Sequence, residues 1–559
     1  MPDWTYHPLR RPMELALGRR RALRLALAVV AGLARVPGGK AILAGFGNTQ
    51  PPESARVRVA GVLCAAPAGA SVSVAKAGDS LRAMPPLGAG LIEVGPVNRK
   101  SAPRLAAALR ARTCPAVLRV RGNDAIAVAS DLAPLVSAIV LDLDGSDPAT
   151  LAGLGAVIGR PVLAGVTVRD SGAAPPGFGL VLRDGGVEDV KRLKDRHPEI
   201  VVTTSNPSID LAADLVAAGA RAVLATQDGL VAAGPAWFHR ATIAILEGAG
   251  SLNPDASSTP RLAWLAGVGL GLGMIAGGVG AAAVALGPVL LPYDASYLRL
   301  DPSTLGRLNP ELIHFLQHDR ITLAGTMVAL GILYTSLSWS GIRQGRVWAR
   351  NALLASGVVG FPTLFYFFGF HYVEPVHVAL AVVLLPLFVL AVWRRPSLRF
   401  ELPDRDERPR ERHLALIGQL VMVAVGIGFI LGGATISYVG LTSVFVPSDL
   451  DFMRTSAGSL AGANGRLLGF IAHDRAGFGG ALVSTGVAVL LLGAWGWHRG
   501  ERWVWWTIAA AGLAGFGAAI AIHVWVGYTD FFHLAPVYAG SLLTVISLAL
   551  ARPYFLRRT

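Results

Sequence analysis

The chain has 559 residues, 53% of them hydrophobic and only 15% charged, against about 25% charged in an ordinary soluble protein. Much of its formal charge of +14 lies at the N-terminus and in short stretches between apolar runs, where arginine faces lipid headgroups; with no aromatic-and-basic RNA motif or zinc-finger spacing beside it, nucleic acid is set aside as a partner. The two cysteines, Cys64 and Cys114, stand far apart without a CxxC pair and give no sign of a disulfide framework or a zinc site.

Within residues 1–50, the stretch 10–36, "RRPMELALGRRRALRLALAVVAGLARV", is basic and then apolar. A charged start before an apolar centre fits a signal peptide. The apolar part, "LRLALAVVAGLA", is short for a span, and an amphipathic helix lying on the membrane surface is the preferred reading.

Residues 51–250 alternate strand-like and helix-like runs. "GLIEVGPV", "PAVLRVRG", "AIVLDLDG", "RPVLAGVTV", "FGLVLRD", "EIVVTTSN" and "ARAVLATQ" read as buried parallel strands. "SAPRLAAALRAR", "VEDVKRLKDRHP" and "SIDLAADLVAAGA" read as intervening helices. This rhythm predicts an α/β fold, a (β/α)8 TIM-like barrel, with any site at the C-terminal ends of its strands. At about 190 residues it is short for that fold, so the loops over the site are trimmed.

Three passages carry a resemblance. "PAGASVSVAKAGDSL", "GAGLIEVGPV" and "SIDLAADLVAAGARAVLATQDGLVAAGP" follow one another as do segments of the membrane-associated, quinone-linked class of the dihydroorotate dehydrogenase family. The resemblance spans roughly residues 15 to 248. It implies a barrel that binds FMN, oxidises dihydroorotate and passes electrons to membrane quinone. It places Lys76 on the family's substrate-binding lysine and Gly78 on the following glycine. It also sets the N-terminal segment where the family carries an amphipathic helix beside a quinone tunnel.

The chemistry of that family matches less well. "DLDGSDP", with Asp142, Asp144 and Ser146, stands where the catalytic serine motif belongs. Gly165 takes the place of the flavin-contacting lysine, and Arg183-Asp184 that of an Asn-Thr pair that binds substrate. Thr203-Thr204 replaces a Gly-Gly pair at the FMN phosphate, and Thr226 to Gly229 stretches a later Thr-Gly. A Cβ obstructs close backbone approach, so these threonines weaken a phosphate site. Ser205 or Asn206 still caps a following helix whose N–H groups favour an anion. The resemblance thus makes Lys76, Gly78, Thr203, Thr204, Ser205 and Gly229 the cofactor-binding candidates.

After a linker over 251–261, apolar runs of spanning length begin near Leu262, Ile321, Asn351, Val376, Leu414, Ala476, Trp503 and Leu534, predicting eight helices. At a constant offset of 155 residues, Pro292, Asp294 and Arg299 fall on Pro447, Asp449 and Arg454, and Asn309 on Asn464. His318-Asp319-Arg320 falls on His473-Asp474-Arg475, and after one residue of slippage Glu374 and His377 meet Asp530 and His533. The pattern reads as a tandem duplication of a four-helix unit: residues 262–396, a basic linker over 397–412, then residues 413–559. An even number of spans per unit makes the two repeats parallel. Basic loops such as "GIRQGRVWAR" and "HRGERW" place the barrel, these loops and the C-terminus in the cytoplasm. The duplicated ionisable residues then face the other side, in two long loops ending at His-Asp-Arg and in short turns bearing Glu374 and Asp530.

Two readings of those residues stay open. An aspartate before a helix complements its dipole, and an adjacent arginine snorkels to headgroups. Alternatively, ionisable residues near bilayer depth mark ligand, proton or ion routes. They would then form twin pockets, one from His318, Asp319, Glu374 and His377, the other from His473, Asp474, Asp530 and His533. His314 and His318 have i,i+4 metal spacing, but Gly469 stands at the first position of the second copy. No metal site is assigned, and nothing selects bis-histidine haem. Two functions follow: a membrane-bound FMN oxidoreductase feeding quinone, or an inactive barrel serving as sensor or scaffold for a duplicated membrane binding or transport module.

Overall fold

The computed structural model describes residues 3–47, 49–144, 149–250, 260–365, 372, 374–394 and 409–557. Two compact units emerge, one holding the described residues up to 250 and one the described residues from 260 onward. Ser146, most of the 251–261 linker and most of the 397–412 linker lie outside the described residues.

The first unit begins with helices α1 (Asp3–Leu17), α2 (Arg19–Leu33) and α3 (Gly39–Gly47). Tyr6 Oη and Arg10 donate to the Val231 carbonyl at 2.9 and 2.8 Å, and Ala22, Val30 and Ala31 of α2 are buried. With 15 residues α2 is below spanning length, and Leu25, Val29 and Leu33 remain exposed.

A hairpin of β1 (Val57–Val59) and β2 (Val62–Cys64) precedes eight parallel strands: β3 (Ala68–Val72), β4 (Ile92–Val97), β5 (Ala116–Arg121), β6 (Ala138–Asp142), β7 (Val162–Thr167), β8 (Gly179–Arg183), β9 (Ile200–Thr204) and β10 (Ala222–Thr226). They close in sequence order, β10 pairing with both β9 and β3, which is the expected barrel. Helices α4 (Ala77–Ala83), α5 (Ala102–Arg110), α6 (Ala125–Leu132), α7 (Ala149–Ile158), α8 (Val187–Leu193), α9 (Ile209–Ala218), α10 (Gln227–Ala233) and α11 (Trp237–Gly248) accompany it. Alternate side chains point inward. Leu91, Val117, Val140, Leu163, Val181, Val201 and Leu224 fill the interior, where Val59 and Cys64 of the hairpin pack against them. Each such side chain contributes about 1.5–3 kcal/mol when fully buried.

The second unit runs α12 (Arg261–Leu286), α13 (Pro292–Leu298), α14 (Pro302–Leu308), α15 (Pro310–Ser336), α16 (Val347–Thr363), α17 (Pro375–Trp393), α18 (Pro409–Leu441), α19 (Pro447–Met453), α20 (Ala457–Ala463), α21 (Leu467–Trp495), α22 (Arg502–Val526) and α23 (Phe531–Leu556). Seven of the described helices are long and apolar enough to cross a membrane. The eighth expected span is α16, which has only 17 residues. Pro362 removes a backbone donor at its end, whereas the corresponding Gly517 leaves α22 intact to Val526.

The stretches expected to be long loops before His-Asp-Arg are helical. Pro310 sits in the first turn of α15, and the Asn309 side chain accepts from Glu311 N at 2.8 Å, so the helix starts well before His318. Positions 155 apart make matching contacts. Asn309 Nδ2 donates to the Met453 carbonyl and Asn464 Nδ2 to the Leu298 carbonyl, both at 2.8 Å. A Cβ on Gly331 would meet the Gly271 carbonyl at 2.6 Å, and one on Gly486 would meet the Gly426 carbonyl at 2.8 Å.

Candidate functional site

In the barrel, the layer above the apolar interior is ionic. Arg183 NH1 donates to both Glu93 oxygens, at 2.8 and 2.9 Å, and Arg183 NH2 to Asp142 Oδ1 at 3.1 Å. Arg119 Nε reaches Asp142 Oδ2 at 2.5 Å, and Ser71 Oγ donates to Glu93 at 2.6 Å. Burial works against the Glu93 carboxylate. The Arg183 charge and hydrogen bonds, the Ser71 hydroxyl and the Arg119 charge outweigh it and hold the pKa below the ordinary glutamate value. Burial likewise opposes the Arg183 cation, and Glu93 and Asp142 more than restore it.

This network occupies the mouth where the resemblance implies a flavin. A Cβ on Gly165 would meet Asp142 Oδ1 at 2.4 Å and Arg183 NH2 at 3.3 Å, so a lysine there requires the ion pair to move. The anion position is also taken. Asp184 Oδ1 accepts from Ser205 N at 2.7 Å and Ser205 Oγ at 2.8 Å, which puts a carboxylate where a phosphate would need free donors. Ser208 caps α9 at Leu211 N, and Thr226 caps α10 at Gly229 N. Thr203 and Thr204 are buried, and Thr203 Oγ1 turns to the Leu182 carbonyl at 3.4 Å. Gly229 packs so closely that a Cβ would meet Pro207 at 2.7 Å, whereas Gly78 has only Ala108 at 3.9 Å. Lys76 is half-buried beside α4; burial lowers its pKa, Asp228 opposes that and Arg24 adds to it. Among the described residues at this mouth, Gly165 has no room for a flavin-contacting side chain and Ser205 has no free donor for a phosphate.

In the helical unit, the His-Asp-Arg triplets face inward. Arg320 Nε donates to Asp474 and Arg475 Nε to Asp319, both at 2.9 Å. Arg320 also reaches the Val289 carbonyl, with Asp294 at 3.7 Å; Arg475 reaches the Val444 carbonyl at 2.8 Å and Asp449 at 2.5 Å. Neither arginine snorkels, because each finds two carboxylates and a carbonyl inside the bundle. Tyr372 donates to Asp294, and Tyr528 lies 2.9 Å from Asp449. Asp294 and Asp449 also accept from Leu291 N and Val446 N, closing the first turns of α13 and α19.

The histidines group across the halves rather than within them. His473 meets His377 and Glu374: His377 Nδ1 lies 2.5 Å from Glu374 and 3.2 Å from His473 Nε2, and His473 Nδ1 lies 3.2 Å from Asp474. His318 meets His533 and His523, with ring centroids 5.0 Å apart to His523 and 6.0 Å to His533. Asp530 joins neither group; its carboxylate caps α23 at His533 N, 2.7 Å away. Asp530 is spent on a helix end, while the corresponding Glu374 pairs with a histidine. His314 stays at the surface beside Glu311, 3.1 Å away.

Beside His377 and His473 opens a cleft lined by Met274, Leu323, Met327, Leu330, Phe361 and Leu384 among others, about 770 Å³ when the space open to solvent is included. Tyr334 and Ser484 also line it; Tyr334 Oη is 2.8 Å from Ser356 Oγ and 3.2 Å from Ser484 Oγ.

Sequence reasoning missed His523, Tyr372, Tyr528, Glu93 and Arg119 as site residues. Signals for some of them exist. β4, β6 and β8 each carry one charge in an otherwise apolar run, β5 carries two, and "AIAIHVWV" holds an isolated histidine.

No family model and no curated protein matches the chain. Among solved structures, the crystal structure of ligand-free type DHODH from Eimeria tenella is similar at 13% identity and a TM-score of 0.32, covering 40% of this chain and 94% of that one.

Proposed function

We propose that this is a multi-pass membrane protein that binds an apolar ligand carrying a hydrogen-bonding head, of the quinone kind, beside His377 and His473, and that its barrel is a non-catalytic scaffold. The carrying observation is the cleft beside His377 and His473, apolar along its walls and bordered by two imidazoles. Pockets of this polarity hold a ligand by apolar contact and orient it with a few polar groups. An imidazole N–H donates to a quinone carbonyl, and the leucine and methionine walls pack against the ring and its tail.

The barrel mouth argues against the alternative, an FMN oxidoreductase feeding quinone. Arg183, Asp142 and Asp184 take up the space and the donors a flavin and its phosphate need, so no electron-transfer step is assigned to it. The matched contacts 155 residues apart support reading the helical unit as two parallel copies of one four-helix module. The arginine-rich turns around Arg343 and Arg499 support placing those loops, the barrel and the C-terminus in the cytoplasm. The exposed Leu25, Val29 and Leu33 beside Arg20 and Arg21 support α2 as a surface anchor.

Full-length protein purified in mild detergent should release quinone on solvent extraction, identified by mass spectrometry, and should bind added decyl-quinone. Leu330→Trp, which fills the cleft, and His377→Ala with His473→Ala should each lower that binding at least tenfold. Wild-type protein that neither carries nor binds quinone sinks the proposal.

A further inference from the structure

The second histidine group has a different chemistry from the first. Around His377 and His473 three of the four ring nitrogens are engaged, His377 Nδ1 with Glu374, His473 Nδ1 with Asp474 and His473 Nε2 with His377. Those contacts are hydrogen bonds that protons complete, in a group also spaced closely enough to hold a cation.

His318, His523 and His533 are arranged otherwise. His318 Nδ1 lies 2.5 Å from the Phe315 carbonyl, and His523 Nδ1 lies 2.7 Å from the Ala519 carbonyl. A carbonyl only accepts, so both rings carry their proton on Nδ1 and present a bare Nε2. His533 Nδ1 lies 3.2 Å from Tyr528 Oη, which is itself 2.9 Å from Asp449. With Tyr528 donating to Asp449, its oxygen accepts from His533 Nδ1, and the third ring also presents Nε2. One ring nitrogen from each of the three histidines lies within 4.8 Å of the other two. His523 is 3% exposed, and its Nε2 is buried without a hydrogen-bond partner. An orphaned acceptor costs about 1–3 kcal/mol. Three converging lone pairs in a buried site repel unless something positive stands between them.

We infer that His318, His523 and His533 bind one transition-metal cation, zinc or copper, through their Nε2 atoms. Imidazole suits both metals, and three histidines with an open position form a known zinc ligand set. Each ring is held from behind, two by backbone carbonyls and the third by the Tyr528–Asp449 pair, as metal-ligating histidines usually are. Nearby carboxylates complement the cation: Asp319 Oδ1 lies 3.3 Å from His318 Nε2, and Asp449 lies behind Tyr528. Arg475 partly balances both. The cluster joins α15 to α22 and α23, so the cation would tie the two halves together.

The test uses tag-free full-length protein in detergent, stripped with chelator and reloaded with Zn²⁺ or Cu²⁺. About one equivalent should be retained by wild type, and at least tenfold less by His523→Gln, with His377→Ala unchanged. Tyr528→Phe should weaken affinity about 10–100-fold while leaving all three ligands in place. Co²⁺ loading of wild type should give the visible bands of a tetrahedral nitrogen site, and Cu²⁺ should show nitrogen hyperfine coupling. Those spectra decide the matter should His523→Gln fail to fold. Wild type that retains no metal, bound metal without nitrogen coupling, or full retention by folded His523→Gln overturns the site. Quinone binding at the other cluster is measured separately, so either assignment can fail alone.

Discussion

Arg475 Nε donates to Asp319 Oδ2 across 2.9 Å, although the two residues lie 156 positions apart in the chain. The converse pair, Arg320 to Asp474, has the same 2.9 Å length. Each arginine therefore neutralises the aspartate that precedes the other, and neither triplet is complete without its counterpart. Arg475→Met leaves Asp319 and Asp449 without their cation and should cost about 3–5 kcal/mol, the usual penalty for breaking a buried pair. Arg475→Met with Asp319→Asn should lose less than the two single changes added together. Thermal unfolding in detergent measures both; strict additivity would show that the pairs act independently.

The glycines where α12 meets α15 and α18 meets α21 let backbones approach closely. Gly331→Val and Gly486→Val each place a side chain against the facing carbonyl, of Gly271 and Gly426 respectively. Each should lower the unfolding temperature and cost at least about 1–3 kcal/mol as overpacking. The exposed Gly280, which faces open space, is the control and should tolerate Ala.

Purified protein should lack the visible flavin absorption band and should not acquire it when FMN is added. Gly165→Lys should not restore it, because Asp142 and Arg183 fill the required volume. Spectra of the protein before and after FMN addition and desalting check this. A yellow wild-type preparation would mean that the ionic layer opens to admit the cofactor.

Glu93 makes the barrel acid-sensitive. Its folded pKa lies below the ordinary glutamate value of about 4.3, so its stabilising contribution is complete above that value. The contribution is lost as pH falls through the ordinary value and down to the lowered one. Glu93→Gln should therefore be less stable than wild type at neutral pH, with the gap closing below about pH 4. Hydrogen exchange of peptides from β4 and β8 reads this locally; a gap that is constant with pH would assign the loss to packing alone.

The sequence by itself determined the barrel and the apolar helices. Strand alternation and helix length follow from local periodicity, so β4 through β10 and seven spans could be read from consecutive residues. The offset of 155 was equally plain, because matched residues need only be compared along one chain. The tertiary structure alone decided what those residues meet. His318 could not be assigned to His523 and His533, nor His473 to His377, because partners from α15 and α22 are separated by most of the helical unit, and nothing local specifies which helix packs beside which. The loops expected before each triplet became helices because capping at Asn309 and packing inside the bundle stabilise helix there. At the barrel mouth, charges on four strands read as unrelated until closure brought Glu93, Arg119, Asp142 and Arg183 into one layer. Desolvation makes lone buried charges costly, so they pair, and the choice of partner belongs to the geometry of closure.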